Sequence, residues 1–266
     1  MPQPPSQPSQ GPSIPLTQAS HLLTSFTHFL TVCIHNILYY RNIYPAQTFL
    51  TSRAYNIPVH QSRHPKVCSW VQDAVDAVKA QLVLGAVERI AVVIYNDQDR
   101  VMERWMFDVA SFPAWTGFKE GKLLRREDDE EADGRAEGVV AGAGGGENKV
   151  NWSDVHEELR ASIRRLAHAG EKMASLPEGC TFTIAVELRE EGEAPIGHPQ
   201  PWIPTQSNLQ TKSKDRPAPG EDIGGAKTTP LRAVEAGPLF FECWVEEGKA
   251  KVEQPSSAIP PASEEQ

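Results

Sequence analysis

The segment of residues 20–44, SHLLTSFTHFLTVCIHNILYYRNIY, constrains the fold more than any other stretch of the chain. Its apolar residues recur at a spacing of three and four, which is typical of one face of a helix. A second apolar row widens this stripe over most of the circumference, so the sequence predicts a central helix buried on several sides beneath a sheet. Pro45 prevents the helix from continuing past Tyr44. Polar residues interrupt the segment, so it lacks the run of ~20 apolar residues that a membrane span requires.

The charge balance limits the kinds of partner that the chain can bind directly. The net charge is −9, and part of the acidic excess lies in the run of residues 127–131. Binding to DNA phosphates requires clustered Lys and Arg, so we expect contact with DNA only through a partner protein. The four cysteines are scattered, without a CxxC pair, which indicates free thiols in a reducing compartment.

Three stretches have compositions that are typical of disorder, and they set the domain boundaries. Residues 1–16 are rich in Pro, Ser and Gln, residues 119–149 combine a charge block with Gly/Ala repeats, and residues 248–266 form a polar tail. Such sequences bury too little apolar area to offset their ordering entropy. The sequence therefore predicts one domain over residues 17–247, with a disordered insert at 119–149.

The remaining segments alternate between helical and strand patterns around this central helix. Residues 54–60 form a short extended run, and residues 196–230 are irregular. The other predicted helices are residues 65–84 and a helix capped by Asn151. The predicted strands are 87–95 and 101–109, which form a hairpin, and two later strands at 180–190 and 239–246. This order predicts an α+β layer built around one sheet.

No motif in the sequence assembles a recognisable active site. The chain lacks GxSxG, HExxH and GxGxxG motifs, and the glycines at 142–146 are not followed by the Lys and hydroxyl of a phosphate loop. His60, His64 and Cys68 are spaced by four, as metal ligands on a helix face would be, but Pro65 begins the helix and leaves His60 outside it. A metal-dependent hydrolase using these three residues is the alternative from a different class. The favoured prediction is a protein that is not an enzyme.

Six strings, occurring in one order, carry a resemblance to a known family. They are YYRNIYP (39–45), YNIPVHQSRHP (55–65), WVQDAVDAVK (70–79), VERIAVVIYNDQDRVMERWMFDV (87–109), GCTFTIAVELRE (179–190) and WVEE (244–247). Together they closely resemble the HORMA-domain accessory, non-catalytic subunit of translesion DNA polymerase zeta, which is related to the mitotic-arrest-deficient spindle-checkpoint protein. The resemblance covers about residues 22–247, without the insert.

The resemblance implies both a fold and a function. The fold is a HORMA domain of the α+β class, with three main helices on a largely antiparallel sheet. A C-terminal safety belt, at about residues 190–247, closes over a proline-containing peptide of the polymerase catalytic subunit. The further implied partners are the Y-family scaffold polymerase, a second HORMA domain in a homo- or heterodimer, and an AAA+ remodelling ATPase. The implied location is the nucleus, with the cytoplasm as a second location. The resemblance implies no cofactor and no membrane contact. The alternative within the fold is a checkpoint or meiotic-axis HORMA adaptor.

The resemblance also assigns peptide-binding roles to three residues. Trp70 falls where the family has an aromatic that contacts the trapped peptide, although core packing beside Val71 explains the same residue. Trp202, in the string QPWIP, matches the tryptophan of the belt and is the only large aromatic between Glu190 and Leu239. Pro204 replaces an apolar residue of the family's belt.

Four further residues are assigned by the resemblance to surfaces that bind other proteins. Thr228, Glu242 and Trp244 match positions that face the scaffold polymerase, with Glu242 and Trp244 expected on an edge strand. Arg160 matches an arginine at the HORMA–HORMA dimer surface, for which a solvated helix charge is the alternative.

Overall fold

Helix α1 (Leu16–Tyr40) forms the centre of the domain. In the computed structural model, which describes residues 16–112, 150–189, 209, 217, 218, 220 and 225–253, both predicted apolar rows of α1 are buried. The rings of Phe26 and Phe29 pack against Phe241 near the C terminus, with centroids 5.3 and 5.4 Å apart. The helix is long and apolar enough to span a membrane by composition alone, yet 72% of its most apolar window is buried inside the domain.

The end of α1 differs from the prediction. The helix ends at Tyr40 rather than at Tyr44, because Asn42 adopts a positive φ of 53° and reverses the chain. The Ile43 amide then donates to the carbonyl of Leu38 at 3.0 Å, as in a helix C-terminal cap. Capping therefore stops the helix before Pro45 does.

An antiparallel sheet of five strands lies against the helices. Its strands are β3 (Val87–Tyr95), β4 (Val101–Asp108), β5 (Thr181–Leu188), β6 (Lys227–Ala236) and β7 (Leu239–Glu247). Their spatial order is β5-β3-β4-β7-β6. Helices α2 (Pro65–Leu84) and α3 (Trp152–Lys172) contact α1, and the side chain of Asn151 caps α3 as predicted.

The two faces of the sheet bury different sets of side chains. The face toward the helices carries the main core, which includes Trp105 and Phe107. The opposite face, here called the outer face, carries a second cluster of buried residues: Ala91, Val93, Tyr95, Val101 and Met106. A register shift between β3 and β4 near Tyr95 places Val101 on the outer face, although strict alternation from Trp105 would turn it toward the helices.

A small hairpin replaces the single extended run that was predicted at residues 54–60. Strands β1 (Phe49–Ala54) and β2 (Ile57–Ser62) pair antiparallel. Tyr55 and Asn56 form the turn between them, with φ of 50° and 58°. Such a two-residue turn with positive φ matches the twist of a hairpin.

The C-terminal region contains two elements that the sequence analysis missed. β6 begins inside the segment predicted to be irregular and pairs with β7 along its length. Helix α4 (Lys249–Glu253) lies within the predicted disordered tail of 248–266, so that prediction is wrong for these residues. The predicted disordered stretches 1–16 and 119–149, apart from Leu16, lie outside the described residues, as does 254–266.

Candidate functional site

Strand β5 forms one edge of the sheet. It pairs with β3 along its length, and among the described residues no strand lies on its other side. The outward N–H and C=O groups of an edge strand can pair with an added strand. Its helix-facing residues, Phe182, Ile184 and Val186, pack against the core. The edge of β5 is therefore a rigidly supported place for an extended peptide to bind.

The connection from β5 to β6 joins opposite edges of the sheet. The two strands follow each other in sequence but stand at the two ends of the strand order. Because neighbouring strands are about 4.8 Å apart, the connection of residues 189–226 must span about 19 Å. Leu209, in the middle of this connection, packs with Trp244 and Ala185 against the outer face. Residues 189–226 therefore connect the two opposite edges of the sheet, and Leu209 gives one contact of this connection with the outer face.

Trp70 lies beside the open edge. This half-buried side chain of α2 meets the ring of Phe182 edge to face, with centroids 5.0 Å apart. Tyr44 approaches the same ring from another side, at 6.4 Å. The structure thus brings Trp70 to the strand that would pair with a peptide. Trp202 and Pro204, the other two predicted peptide-binding residues, lie outside the described residues.

A buried ionic network lies at the start of β4. This is the end of the strand that is far from the turn between β6 and β7. The carboxylate of Glu103 is 0% exposed and points toward the helices. Arg41 donates to both of its oxygens at 2.8–3.2 Å, and the Trp105 Nε1–H donates at 3.1 Å. Lys251 of α4 adds a bond from Nζ at 2.6 Å. Two cations therefore share this carboxylate, and one of them comes from α4.

The same network joins the ends of α1 and α3. Arg41 also donates to the carbonyls of Gly170 and Ala174, at 2.8 and 2.6 Å. Gly170 has to be small there, since an added Cβ would lie 2.8 Å from the Cβ of Tyr40. Arg41 therefore links the end of α1 to α3 and to β4, although no pattern in the sequence predicts a role for it.

The three residues matched to the scaffold-polymerase surface share the outer face. Glu242 and Trp244 alternate on β7, and Thr228 on β6 pairs with Glu246 of the same face. The Trp244 Nε1–H donates to the Glu246 carboxylate at 2.8 Å, and Thr228 and Glu242 are exposed. The expectation of an edge strand for Glu242 and Trp244 is wrong, because β6 forms the edge and β7 lies inside it.

Arg160 lies on α3 beside a second surface, which is basic. Its Nε–H donates to the carbonyl of Tyr55 in the β1–β2 turn at 2.8 Å, and it pairs with Glu157 at 2.7 Å. It is therefore a partly fixed residue rather than a freely solvated charge. It borders a groove of about 460 Å³ whose lining also includes three arginines and a histidine: Arg164, Arg165, Arg232 and His168.

The residues of the metal-site alternative have other contacts. The His60 ring stacks on Tyr39, with centroids 3.4 Å apart, and the Cys68 thiol donates to the carbonyl of Ser62 at 3.1 Å. His64 is exposed just before α2. Across the part of the chain that the structure describes, no group of three or more His, Cys, Asp or Glu side chains converges as metal ligands would. The geometry gives this alternative no support.

The fold defines a class of protein, namely an α+β domain whose C-terminal hairpin, β6–β7, is joined to the strand at the far edge of the sheet by a long connection. More specifically, the chain belongs to the HORMA-domain family, which its sequence matches over residues 23–225. The predicted α+β HORMA fold, with three main helices on an antiparallel sheet, is thereby confirmed.

Individual relatives agree with the resemblance seen in the sequence strings. The chain is 29% identical over 222 residues to the DNA polymerase zeta processivity subunit of Schizosaccharomyces pombe, covering 83% of this chain and 90% of that protein. It is 28% identical over 228 residues to the mitotic spindle assembly checkpoint protein MAD2B of Danio rerio, covering 84% and 89%.

Solved structures show the same fold at lower sequence identity. A chain in the mitotic checkpoint complex aligns with a TM-score of 0.56 at 19% identity, covering 85% of this chain and 98% of that one. HTP-1 of C. elegans, bound to the HIM-3 closure motif, aligns with a TM-score of 0.51 at 15% identity, covering 88% and 92%.

Proposed function

We propose that the protein is a non-enzymatic adaptor that traps an extended peptide along the edge of β5, beneath the part of the predicted safety belt that precedes β6, at residues 190–226. The observation that carries this proposal is the strand order: among the strands that the structure describes, none pairs with the outer side of β5, and the chain leaving β5 returns at the opposite edge. A peptide paired with β5 would gain main-chain hydrogen bonds there and apolar contact with Trp70. A belt crossing the bound peptide mainly slows its dissociation.

The names of the relatives support a particular partner for this site. The S. pombe relative is a DNA polymerase zeta processivity subunit, so we assign the trapped peptide to the catalytic subunit of that polymerase, with a proline-containing sequence. The protein would then act in translesion synthesis in the nucleus and reach DNA through the polymerase. Because release requires the belt to open, an AAA+ remodelling ATPase is the class of partner that would recycle the complex.

Peptide binding tests this proposal directly. Fluorescence anisotropy should give a Kd below about 1 μM for a labelled proline-containing peptide from the catalytic subunit. Excess unlabelled peptide should displace it over minutes or longer. A scrambled peptide of equal composition is the control, and equal binding of both would contradict the proposal. Tighter binding of closure-motif peptides from checkpoint or meiotic-axis proteins would favour the alternative adaptor function, which shares the fold.

We also propose that the scaffold polymerase binds the outer face at β6 and β7. The support is that Thr228, Glu242 and Trp244 lie on one face, with Trp244 half-buried and held by Glu246. Replacing Trp244 with alanine should weaken binding of the scaffold polymerase's C-terminal region at least about tenfold, since aromatic anchors dominate interfaces. Binding of the β5 peptide is the internal control. Unchanged calorimetric affinity for the scaffold polymerase would rule out this surface.

The surface around Arg160 is our candidate for contact with a second HORMA domain. The support is that Arg160 is fixed between Tyr55 and Glu157 at the rim of the basic groove. Arg160→Ala should shift a dimer toward monomer in light scattering after size-exclusion chromatography. Arg53→Ala, at an exposed arginine of the nearby hairpin, is the control. A wild-type chain that remains monomeric up to about 100 μM, alone and with HORMA partners, would contradict this assignment.

A further inference from the structure

The short helix α4 makes a contact that ties the end of the chain to the centre of the domain. The side chain of Lys251 is 5% exposed, and its Nζ lies 2.6 Å from the Glu103 carboxylate of β4 and 2.6 Å from that of Glu247 at the end of β7. A lysine is rarely buried this deeply unless it is paired. Here it is shared between a strand of the central sheet and the C-terminal hairpin.

One partner of Lys251 belongs to the fixed part of the domain. Glu103 is held by Arg41 and Trp105, and Arg41 in turn is bonded to the carbonyl of Gly170 at the end of α3. Arg41 directly follows α1, Gly170 lies on α3, and Glu103 and Trp105 lie on β4. None of these groups lies on β6 or β7.

The other partner of Lys251, Glu247, also contacts residues 225–227, where the belt leads into β6. The backbone carbonyl of Glu247 accepts a bond from the Ala226 amide at 2.7 Å, and its carboxylate pairs with Lys227 at 3.1 Å. Gly225 passes so close that an added Cβ would lie 2.4 Å from the Glu247 carbonyl oxygen. Burial opposes ionisation of Glu247, but hydrogen bonds from Lys251 and Lys227 outweigh it and hold its pKa below the usual range.

The backbone just before α4 also packs tightly against β4. The Gly248 amide donates to the carbonyl of Met102 at 2.8 Å, and an added Cβ at Gly248 would lie 2.1 Å from the carbonyl oxygen of Val101. The chain therefore continues along β4 beyond the last β7 pair before α4 begins.

We infer that residues 248–253 form a C-terminal latch, in which Lys251 fastens the β6–β7 hairpin to β4 and so limits how fast the belt opens. This inference rests on the proposed function, because it concerns the release of the same trapped peptide. Separating β7 from β4 requires Lys251 to leave Glu103, since the lysine is attached to the hairpin through Glu247 and the chain itself. Separation leaves the buried Glu103 carboxylate with one cation, Arg41, instead of two, so this step resists opening.

Lys251→Met in the full chain tests the latch, with Lys249→Met as the matched control. Methionine keeps an unbranched apolar stem of similar length but removes the cation, whereas Lys249 is exposed on the same helix. Hydrogen–deuterium exchange followed by mass spectrometry should show amides of β6 and β7 exchanging at least about tenfold faster in Lys251→Met. Amides of α1 and β3 should change less than about twofold, as should every segment of the control.

Two results would overturn the latch. One is unchanged exchange of the hairpin, and the other is an equal acceleration of all segments, which would mean that Lys251 supports the whole fold and not its opening.

Peptide release gives a second readout. The dissociation rate of the labelled catalytic-subunit peptide should rise at least about tenfold in Lys251→Met and stay within about twofold of wild type in Lys249→Met. Faster hairpin exchange without faster release would refute the link between the latch and the trapped peptide. A wild-type chain that fails to bind the peptide would refute the proposed function, while the exchange measurement would still decide whether the latch exists.

Discussion

Replacing Glu103 with alanine is expected to lower the free energy of unfolding by about 3–5 kcal/mol. The substitution removes the only carboxylate that Arg41 contacts among the described residues, and it removes one of the two that hold Lys251. Both cations are almost completely buried, so neither can recover its hydration without disrupting the core. Trp105 would also lose the acceptor of its indole N–H.

Urea unfolding followed by circular dichroism measures this effect. Glu235→Ala is the matched control, since Glu235 is an exposed glutamate on the edge strand β6 and should change stability by less than about 0.5 kcal/mol. Glu103→Gln preserves the shape but not the charge, so it should still cost more than the control. A loss below about 1 kcal/mol for Glu103→Ala would show that the network contributes little net stability.

The elements that the sequence predicted well are those whose signal is local. Helix α3 follows from the cap at Asn151 and its apolar stripe, and β3 from a continuous β-branched run. The α1 core follows from its two apolar rows. In each case the residues that define the element are neighbours along the chain, so periodicity is sufficient.

The network around Glu103 had no comparable signal. Its inward position follows from strand alternation, but its partners Arg41 and Lys251 lie 62 and 148 residues away in the sequence. Lys251 stands in a polar tail whose composition is typical of disorder, and only the docking of α4 on β4 buries it. Strand β6 was missed for a related reason, since Pro230 and weak alternation hide a strand that exists through pairing with β7.

The candidate site also combines features that a local sequence pattern predicts with features that depend on the tertiary structure. Alternating residues predicted β5, but its open side depends on the strand order, which no local pattern contains. The family resemblance predicted the belt and a peptide contact for Trp70, which packs against Phe182 in the structure. For Trp70, core packing contributes to the stability of the fold, whereas peptide contact contributes to peptide affinity. A substitution can separate these two roles, because both quantities can be measured on the same variant.

Trp70→Ala is expected to weaken binding of the catalytic-subunit peptide by at least about 2 kcal/mol, which is about 30-fold in Kd. The half-buried indole stands edge to face on Phe182, so it extends the apolar surface beside the strand that the peptide would join. A bound peptide would cover the remaining exposed part of the ring. Aromatic residues in such positions dominate binding, because burying them excludes water from the neighbouring hydrogen bonds.

Trp152→Ala is the matched control for this substitution. Trp152 is also half-buried against the main core, but it contacts His21 near the start of α3, with ring centroids 5.3 Å apart. Each alanine variant should lose stability because each removes part of the core, whereas only Trp70→Ala should lose peptide affinity in anisotropy titrations. If both variants bind the peptide as tightly as wild type and differ from it only in thermal stability, Trp70 is a packing residue. The peptide site would then have to lie elsewhere along β5.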